Sequence, residues 1–520
     1  MGLNSGFTAV LIFNLFSKDV LIIHKIHMYV NNFDNIIFFF FHGLNSWFLF
    51  ILKMVNYMKL SAKLKLKFQN SSDLIVKTIN NTDIIFLESL CSSDKINEYI
   101  LKTLTLNREK KLNASLIAGP NIKEVINIED ATTYLLNGFT LVSKDKTYAV
   151  ETKGNLVRSV QSPTAEPDIN GPKDSFNESI QTNLGLIKRR IKSSDLINDD
   201  LTVGKITKTK VSILYLESIA EKQIVNQVKD KLNTIDIDGI LDMGNLKQLL
   251  CGENRSIFPT AQLTERPDRA ASSLLEGKIV LICDASAFAL IIPSFFADFI
   301  NPNVDSYAKN VNVNFIKALR FLCLLISIFL PAFYLALINF NQSSIPLSLL
   351  VSFAIQRDSV PFPAFAECIF VLIVCAILRE SDARFPNSYG SSISIVGALV
   401  LGEAAVSAGI VSTIMIIMIA ITYITSMVFT DLELINAIRH IRFLALILTC
   451  FLGLYGLYMA LFIFLIHLSG LTSVNKPYTY PLAPFDPIYF YKTLFRKPLK
   501  DDKKRSKLLT DKNYTKQGEL

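Results

Sequence analysis

The sequence predicts a duplicated α/β cytoplasmic domain followed by an α-helical, multi-span membrane domain. Three observations carry this reading. Half of the 520 residues are apolar and 19% are charged, against roughly 25% charged in a soluble protein. The apolar residues are also unevenly placed: residues 58–317 are polar and mixed in pattern, whereas long apolar runs crowd 318–470. Finally, the polar half repeats itself.

Residues 1–57 stand apart as an apolar N-terminal extension. They hold ten Phe, the only Trp and five charged side chains, and Ile36–Leu52 is just long enough to span a bilayer. No Lys or Arg precedes Lys18, so the basic start of a signal peptide is missing. Met58 opens MKLSAKLKLKFQ, basic and then amphipathic, and translation is expected to begin there, with upstream sequence read in frame before it. The alternative is an extra N-terminal anchor.

The first α/β subdomain is placed at 58–160 and the second at 208–317. Ile84–Glu88 (IIFLE) and Val211–Glu217 (VSILYLE) are β-rich runs, each followed by a helix-like stretch. Leu87-Glu-Ser89 recurs as Leu216-Glu-Ser218, and LLNGFTLVSKDKTYAV (135–150) is echoed by LLEGKIVLICDASAFAL (274–290). Gly138 and Gly277 are 139 residues apart, as are Asp145 and Asp284, and each copy reads as a strand, a polar turn and a returning strand. Between the copies, 161–207 reads as a connector containing SPTAEPDINGP and a basic helix ending in Lys188-Arg-Arg190. That basic end is either a solvated cap or a patch for an acidic partner or lipid headgroups.

Catalysis finds no support. Of five His, only His440 and His467 lie beyond residue 57, and no Ser/His/Asp or Cys/His set can be built from them. The seven Cys form no CxxC pair and four sit in apolar runs, which speaks against zinc or disulfides. Gly204-Lys205-Ile206 lacks the other residues of a phosphate-binding loop. No enzyme activity, metal or cofactor is expected.

In 318–470 the runs Phe321–Phe340, Pro363–Leu378, Gly409–Phe429 and Phe443–Leu468 read as spans. Ala287–Ile300, with Pro293 and Asp298, reads as a dip at the membrane edge, and Ser391–Val406 as a re-entrant or pore-facing helix. Residues 471–520 form a basic tail: Arg496–Leu520 holds nine Lys/Arg against four Asp/Glu, so much of the net charge of +8 is this tail and not a nucleic-acid-binding face. Four spans put this tail and the α/β half together, on the cytoplasmic side, and leave Arg439 and Arg442 outside. A carboxylate in such a half is expensive and points to an ion or proton path. Glu367 is either that or a structural hydrogen-bond acceptor. Glu403, near Ser394, Gly397 and Ser407, is either pore-lining or part of close helix packing, with Val396 and Val400 as an apolar gate.

Taken together, GPKDSFNESIQTNLGLIKRRI, IDIDGILD, TERPDRAASSLLEGKIVLICDASAFALIIP, RDSVPFPAFAE, LRESDARFP and SIVGALVLGEAAVSAGIVS resemble the GerA-type A subunit of spore germinant receptors, from about Met58 to Pro498. The chain departs from that pattern at Asn170 and Lys173, where Arg is usual, and at Asp284-Ala285 and Ala287, where Asp-Gly and Pro are usual. The resemblance implies a multi-pass subunit of a receptor in the spore inner membrane. It also implies a multi-span, nutrient-binding B subunit and a lipoprotein C subunit as partners. A homo-oligomeric ring, a pentamer on this reading, would form a nutrient-gated cation channel. The rivals are an accessory protein like stage V sporulation protein AF, a secondary transporter and a scaffold that clusters receptors. Against the transporter, no inverted repeat is visible in the membrane half.

Overall fold

The computed structural model describes residues 59–106, 117, 119–154, 162–163, 165–166, 171–251, 256–384, 402–511 and 513–516. The chain divides into two compact units, Met1–Leu66 and Lys67–Leu520. The described part of the first is Lys59 and most of the helix Leu60–Lys67. All that follows concerns the second.

Two five-stranded antiparallel sheets dominate its first half. One contains β1 (Leu74–Ile79), β2 (Thr82–Leu87), β3 (Ile122–Glu124), β4 (Phe139–Ser143) and β5 (Thr147–Glu151), in the order β1-β2-β4-β5-β3. The other contains β6 (Leu196–Val203), β7 (Thr209–Leu216), β8 (Gln262–Thr264), β9 (Ile279–Cys283) and β10 (Ala289–Ile292), in the order β6-β7-β9-β10-β8. Matched in chain order, the two arrangements are the same, so the repeat in sequence is a repeat of topology.

Helices α1 (Ile128–Leu136), α2 (Ile180–Arg190), α3 (Lys222–Thr234) and α4 (Pro267–Leu275) belong to this half. Gly138 and Gly277 follow α1 and α4 with φ of +79° and +96°. Each donates its amide to the carbonyl three residues back, Leu135 or Leu274, at 3.0 Å. A left-handed residue past a helix end is where glycine is least costly.

Alternation along β7 and β9 sends Val211, Ile213, Ile279 and Leu281 against Ile224, Val228 and Leu232 of α3. It sends Leu214, Leu216, Val280 and Ile282 to the other face, against Leu184 and Ile187 of α2 and Leu274 of α4. Burial on both faces is why these strands read as unbroken apolar runs. The stretch read as a dip at the membrane edge is instead β10 of this sheet, followed by a short helix, Phe296–Ile300. Its Asp298 accepts from the Phe295 amide (2.8 Å) and pairs with Lys278 (2.6 Å). β6 lies inside the supposed connector: it pairs with β7 from Leu196↔Leu216 to Val203↔Thr209.

The second half holds α5 (Asn310–Asn339), α6 (Ala364–Arg384), α7 (Thr413–Ser426), α8 (Leu432–Leu452) and α9 (Leu454–Gly470). Among the described residues two helices, α5 and α8, are long and apolar enough to cross a membrane, where the sequence pattern gives four spans. The helix within Gly409–Phe429 is the 14-residue α7. Phe443–Leu468 is not one span: Gly453, at φ +60°, ends α8 and begins α9.

The helix ends define which way they run. Glu433 at the start of α8 pairs with Lys247 (2.6 Å), Asn314 near the start of α5 accepts the Arg496 amide (2.6 Å), and His467 near the end of α9 meets Ser256 (3.1 Å). Arg439 and Arg442 thus lie within about three turns of the α8 end that meets the sheet half, not on the far side from it. Arg442 is buried and donates from Nε to the Ser327 carbonyl (2.6 Å). Residues 471–520 are also no free tail. Leu509 and Tyr480 are buried in the core of the second sheet, Thr510 bridges to Ala220, and Ser506 bonds the Tyr480 hydroxyl at 2.8 Å.

Candidate functional site

Glu367 sits in the first turn of α6, after the rigid Pro361-Phe-Pro363, and is 1% exposed. One carboxylate oxygen, Oε1, accepts from the Ser412 amide (2.6 Å) and hydroxyl (2.5 Å). Ser412 is the residue before α7, so Glu367 satisfies one free amide of that helix start and places negative charge there. Its buried Oε2 has no hydrogen-bond partner among the described residues, and the Tyr334 hydroxyl lies close to Ser412. Tyr334 belongs to the same apolar cluster as Ala364 and Cys368, which flank Glu367 in α6.

Glu403 and Ser407 lie four residues apart in helical residues 402–407, hence on one face, and both are exposed. Beside them, a Cβ placed on Gly402 would meet nothing within 4 Å. Ser394, Val396, Gly397 and Val400 fall outside the described residues. The next turn is tight: Gly409 has φ +65° and approaches the Ser359 carbonyl so closely that a Cβ would stand 3.0 Å from it.

The junction of the two halves is packed rather than hinged. Phe258, Phe299, Leu324, Ile328, Ile438, Phe464 and Tyr478 share one buried cluster that joins the second sheet's loops to α5, α8 and α9. The Tyr478 side chain is fully buried, with its ring near Phe296 and Phe299. Arg320 of α5 holds Asp305 through both oxygens, at 2.6 and 2.8 Å. A displacement of the second sheet therefore has a stiff path to three helices.

A second network, with no role assigned from sequence, ties the connector to the start of α4. Buried Arg266 binds Asp268 (3.0–3.1 Å), which also accepts from Tyr307, just ahead of α5, at 2.7 Å. Burial alone would raise the Asp268 pKa, but the hydrogen bonds from Arg266 and Tyr307 hold it below the usual carboxylate range. Glu265 accepts the amides of Ala165 (2.6 Å) and Glu166 (2.7 Å), and Arg269 pairs with Glu166. The basic end of α2 is likewise internal. Lys188 is buried against Asp73, which also accepts from the Ser89 amide and hydroxyl, and Arg190 binds both oxygens of Asp174 at 2.6 Å. Only Arg189 of the three is exposed. Lys188 is thus a clasp between the two sheets, and Arg190 also donates to the Leu186 carbonyl at the helix end (3.1 Å).

Among the described residues no group of three His, Cys, Asp or Glu could hold a metal. The geometry offers two things: carboxylates set in an apolar helical half, and a rigid link from that half to the sheets.

The family model described as Bacillus/Clostridium GerA spore germination protein matches residues 62–508. The chain is 35% identical over 475 residues to spore germination protein KA of Bacillus subtilis, covering 88% of this chain and 87% of that one. It is 32% identical over 429 residues to spore germination protein A1 of the same organism, covering 81% and 88%. An uncharacterized membrane protein of B. subtilis, YfkQ, is 31% identical over 411 residues, covering 77% and 80%. Among solved structures, the N-terminal domain of the A subunit of the Bacillus megaterium spore germinant receptor GerK3 is 32% identical, with a TM-score of 0.35 over 45% of this chain and 93% of that one.

Proposed function

Since the chain belongs to the GerA family of spore germination proteins, we propose that it acts as the A subunit of a nutrient germinant receptor in the spore inner membrane. It forms, with copies of itself, a nutrient-gated cation channel, and it performs no catalysis. A multi-span B subunit supplies the nutrient site and a lipoprotein C subunit completes the receptor. The observation that carries the channel reading is the exposed helix face bearing Glu403 and Ser407 in a largely apolar half. A carboxylate there needs water, a cation or another copy of the chain beside it. Ser394 and Gly397, which the sequence pattern groups with Glu403 and Ser407, serve as further pore-lining residues, and Val396 and Val400 as the gate. Nutrient binding on the partner moves the second sheet, and the packed junction passes the movement to α5, α8 and α9.

The test is potassium release from nutrient-challenged spores lacking the protein, beside spores carrying a restored copy. Loss of release for at least one nutrient, recovered with the copy, supports a receptor subunit. Unchanged release for every nutrient, in spores also stripped of related receptors, removes it from the receptor.

A further inference from the structure

Where the C-terminal segment crosses the second sheet and the start of α5, it encloses a cavity of about 310 Å³. Seven Lys or Arg and four Asp or Glu line it. Most of these charges already have partners. Lys278 pairs with Asp298, Lys492 and Lys516 share Glu276 and Asp502, Arg269 pairs with Glu166, and Asp305 is taken by Arg320. Lys317, Arg496 and Lys497 form no ion pair with a carboxylate among the described residues. Lys317 donates to the carbonyls of Lys492 (3.4 Å) and Thr493 (3.2 Å), at the end of helix Pro487–Leu494. Arg496 donates to the carbonyls of Ala308 and Ser306 (2.6 Å to the latter). Lys497 lies 5.1 Å over the Tyr491 ring.

Capping a helix end accounts for the position of Lys317 but not for three half-buried cations in one cavity that form no ion pair among the described residues; Asp305 is near enough for Lys317 to feel its charge, but Arg320 already holds it. Like charges so placed repel one another, and the repulsion falls when an anion enters. The donors are amines together with a guanidinium fork, the set that oxyanions of phosphorus take best. The cavity also sits where the apolar surface of α5 begins: Phe315 and Phe321 are exposed on either side of Lys317. We propose that this cavity binds a phosphate group, carried on a lipid headgroup or free in solution. Bound there, it ties α5 to the C-terminal segment and the second sheet at once.

The test uses the full purified chain in two arms. In the first, inorganic phosphate is titrated in neutral detergent against thermal unfolding, with chloride at matched ionic strength as control. In the second, the chain is placed in nanodiscs of mixed phosphatidylglycerol and phosphatidylcholine, and co-retained lipid is counted by native mass spectrometry. The free-phosphate source predicts a rise in Tm with phosphate; the lipid source predicts selective retention of phosphatidylglycerol. Either response should weaken about tenfold in Lys317→Gln, from the loss of one charge-assisted hydrogen bond. Lys497→Gln is the second variant: its amine holds no hydrogen bond or ion pair among the described residues, and its loss removes only the contact over the exposed Tyr491 ring. No response in either arm overturns the proposal, and so does a response that both variants leave unchanged.

Discussion

Glu367 and Glu403 are two carboxylates in one apolar half with opposite surroundings. Glu367 is sealed and tied to the start of α7, whereas Glu403 faces open space. Glu367→Ala leaves the Ser412 amide and hydroxyl buried without an acceptor, and should cost about 2 kcal/mol, read as a lower Tm of the purified chain. Glu367→Gln keeps the Oε1 acceptor and should lose less than Glu367→Ala. Glu403→Gln should leave Tm unchanged and lower the cation-over-anion selectivity of the reconstituted protein; unchanged selectivity would take Glu403 out of the pore. At Ala285 the backbone has φ +60°, the left-handed region that favours glycine, so Ala285→Gly should stabilise by about 1 kcal/mol. Both carboxylates were legible in sequence because a charge in an apolar run announces itself. The Asp73–Lys188 pair was not, since its partners are 115 residues apart and each looks ordinary in its own segment.

At the scale of elements, the strands that sequence revealed, β2, β4, β5, β7, β9 and the start of β10, are the buried middle of each sheet. β6 went unread because Asn198-Asp-Asp200 at its centre breaks the apolar run, although its backbone pairs along its whole length with β7. β10 was read as touching the membrane for the converse reason: burial on both faces makes a sheet strand as apolar as a span. The α8–α9 pair depends on glycine. A Cβ at Gly456 would stand 2.1 Å from the Leu448 carbonyl, which is backbone and cannot swing aside, so Gly456→Ala should cost about 2 kcal/mol in unfolding experiments. The C-terminal segment is held by charge as well as by Leu509. Burial alone would raise the Glu276 pKa, but Lys492, Lys516 and Lys278 outweigh it and bring the carboxyl from 4.5 to about 2. A folded-state pKa below the unfolded one gives a contribution that is whole above about pH 4.5 and lost as pH falls toward about 2. Glu276→Gln should flatten the fall of Tm over that window; an unaltered fall would mean that other carboxylates set it.

For the whole molecule, the duplication matters because the two copies are attached differently among the described residues. The second sheet shares a buried cluster with α5, α8 and α9, while the first meets the second through the Asp73–Lys188 clasp and the hydrogen bonds of Ser71 and Ser72 to β6. That order suggests a relay in which the first sheet or its clasp receives the partner's movement and the second delivers it. The repeat itself was legible from paired glycines and a recurring Leu-Glu-Ser, because equal topology demands equal turns. The junction was not legible, since Phe258, Phe299 and Tyr478 come from three separate stretches and meet only in the fold. The central claim is that this chain conducts ions when a nutrient is bound. The most direct measurement is unitary current across a planar bilayer containing the full chain with its B and C partners, before and after nutrient is added. The account predicts discrete, cation-selective openings that require both the nutrient and this chain. The same current from the partners alone, or none with all three present, would contradict it.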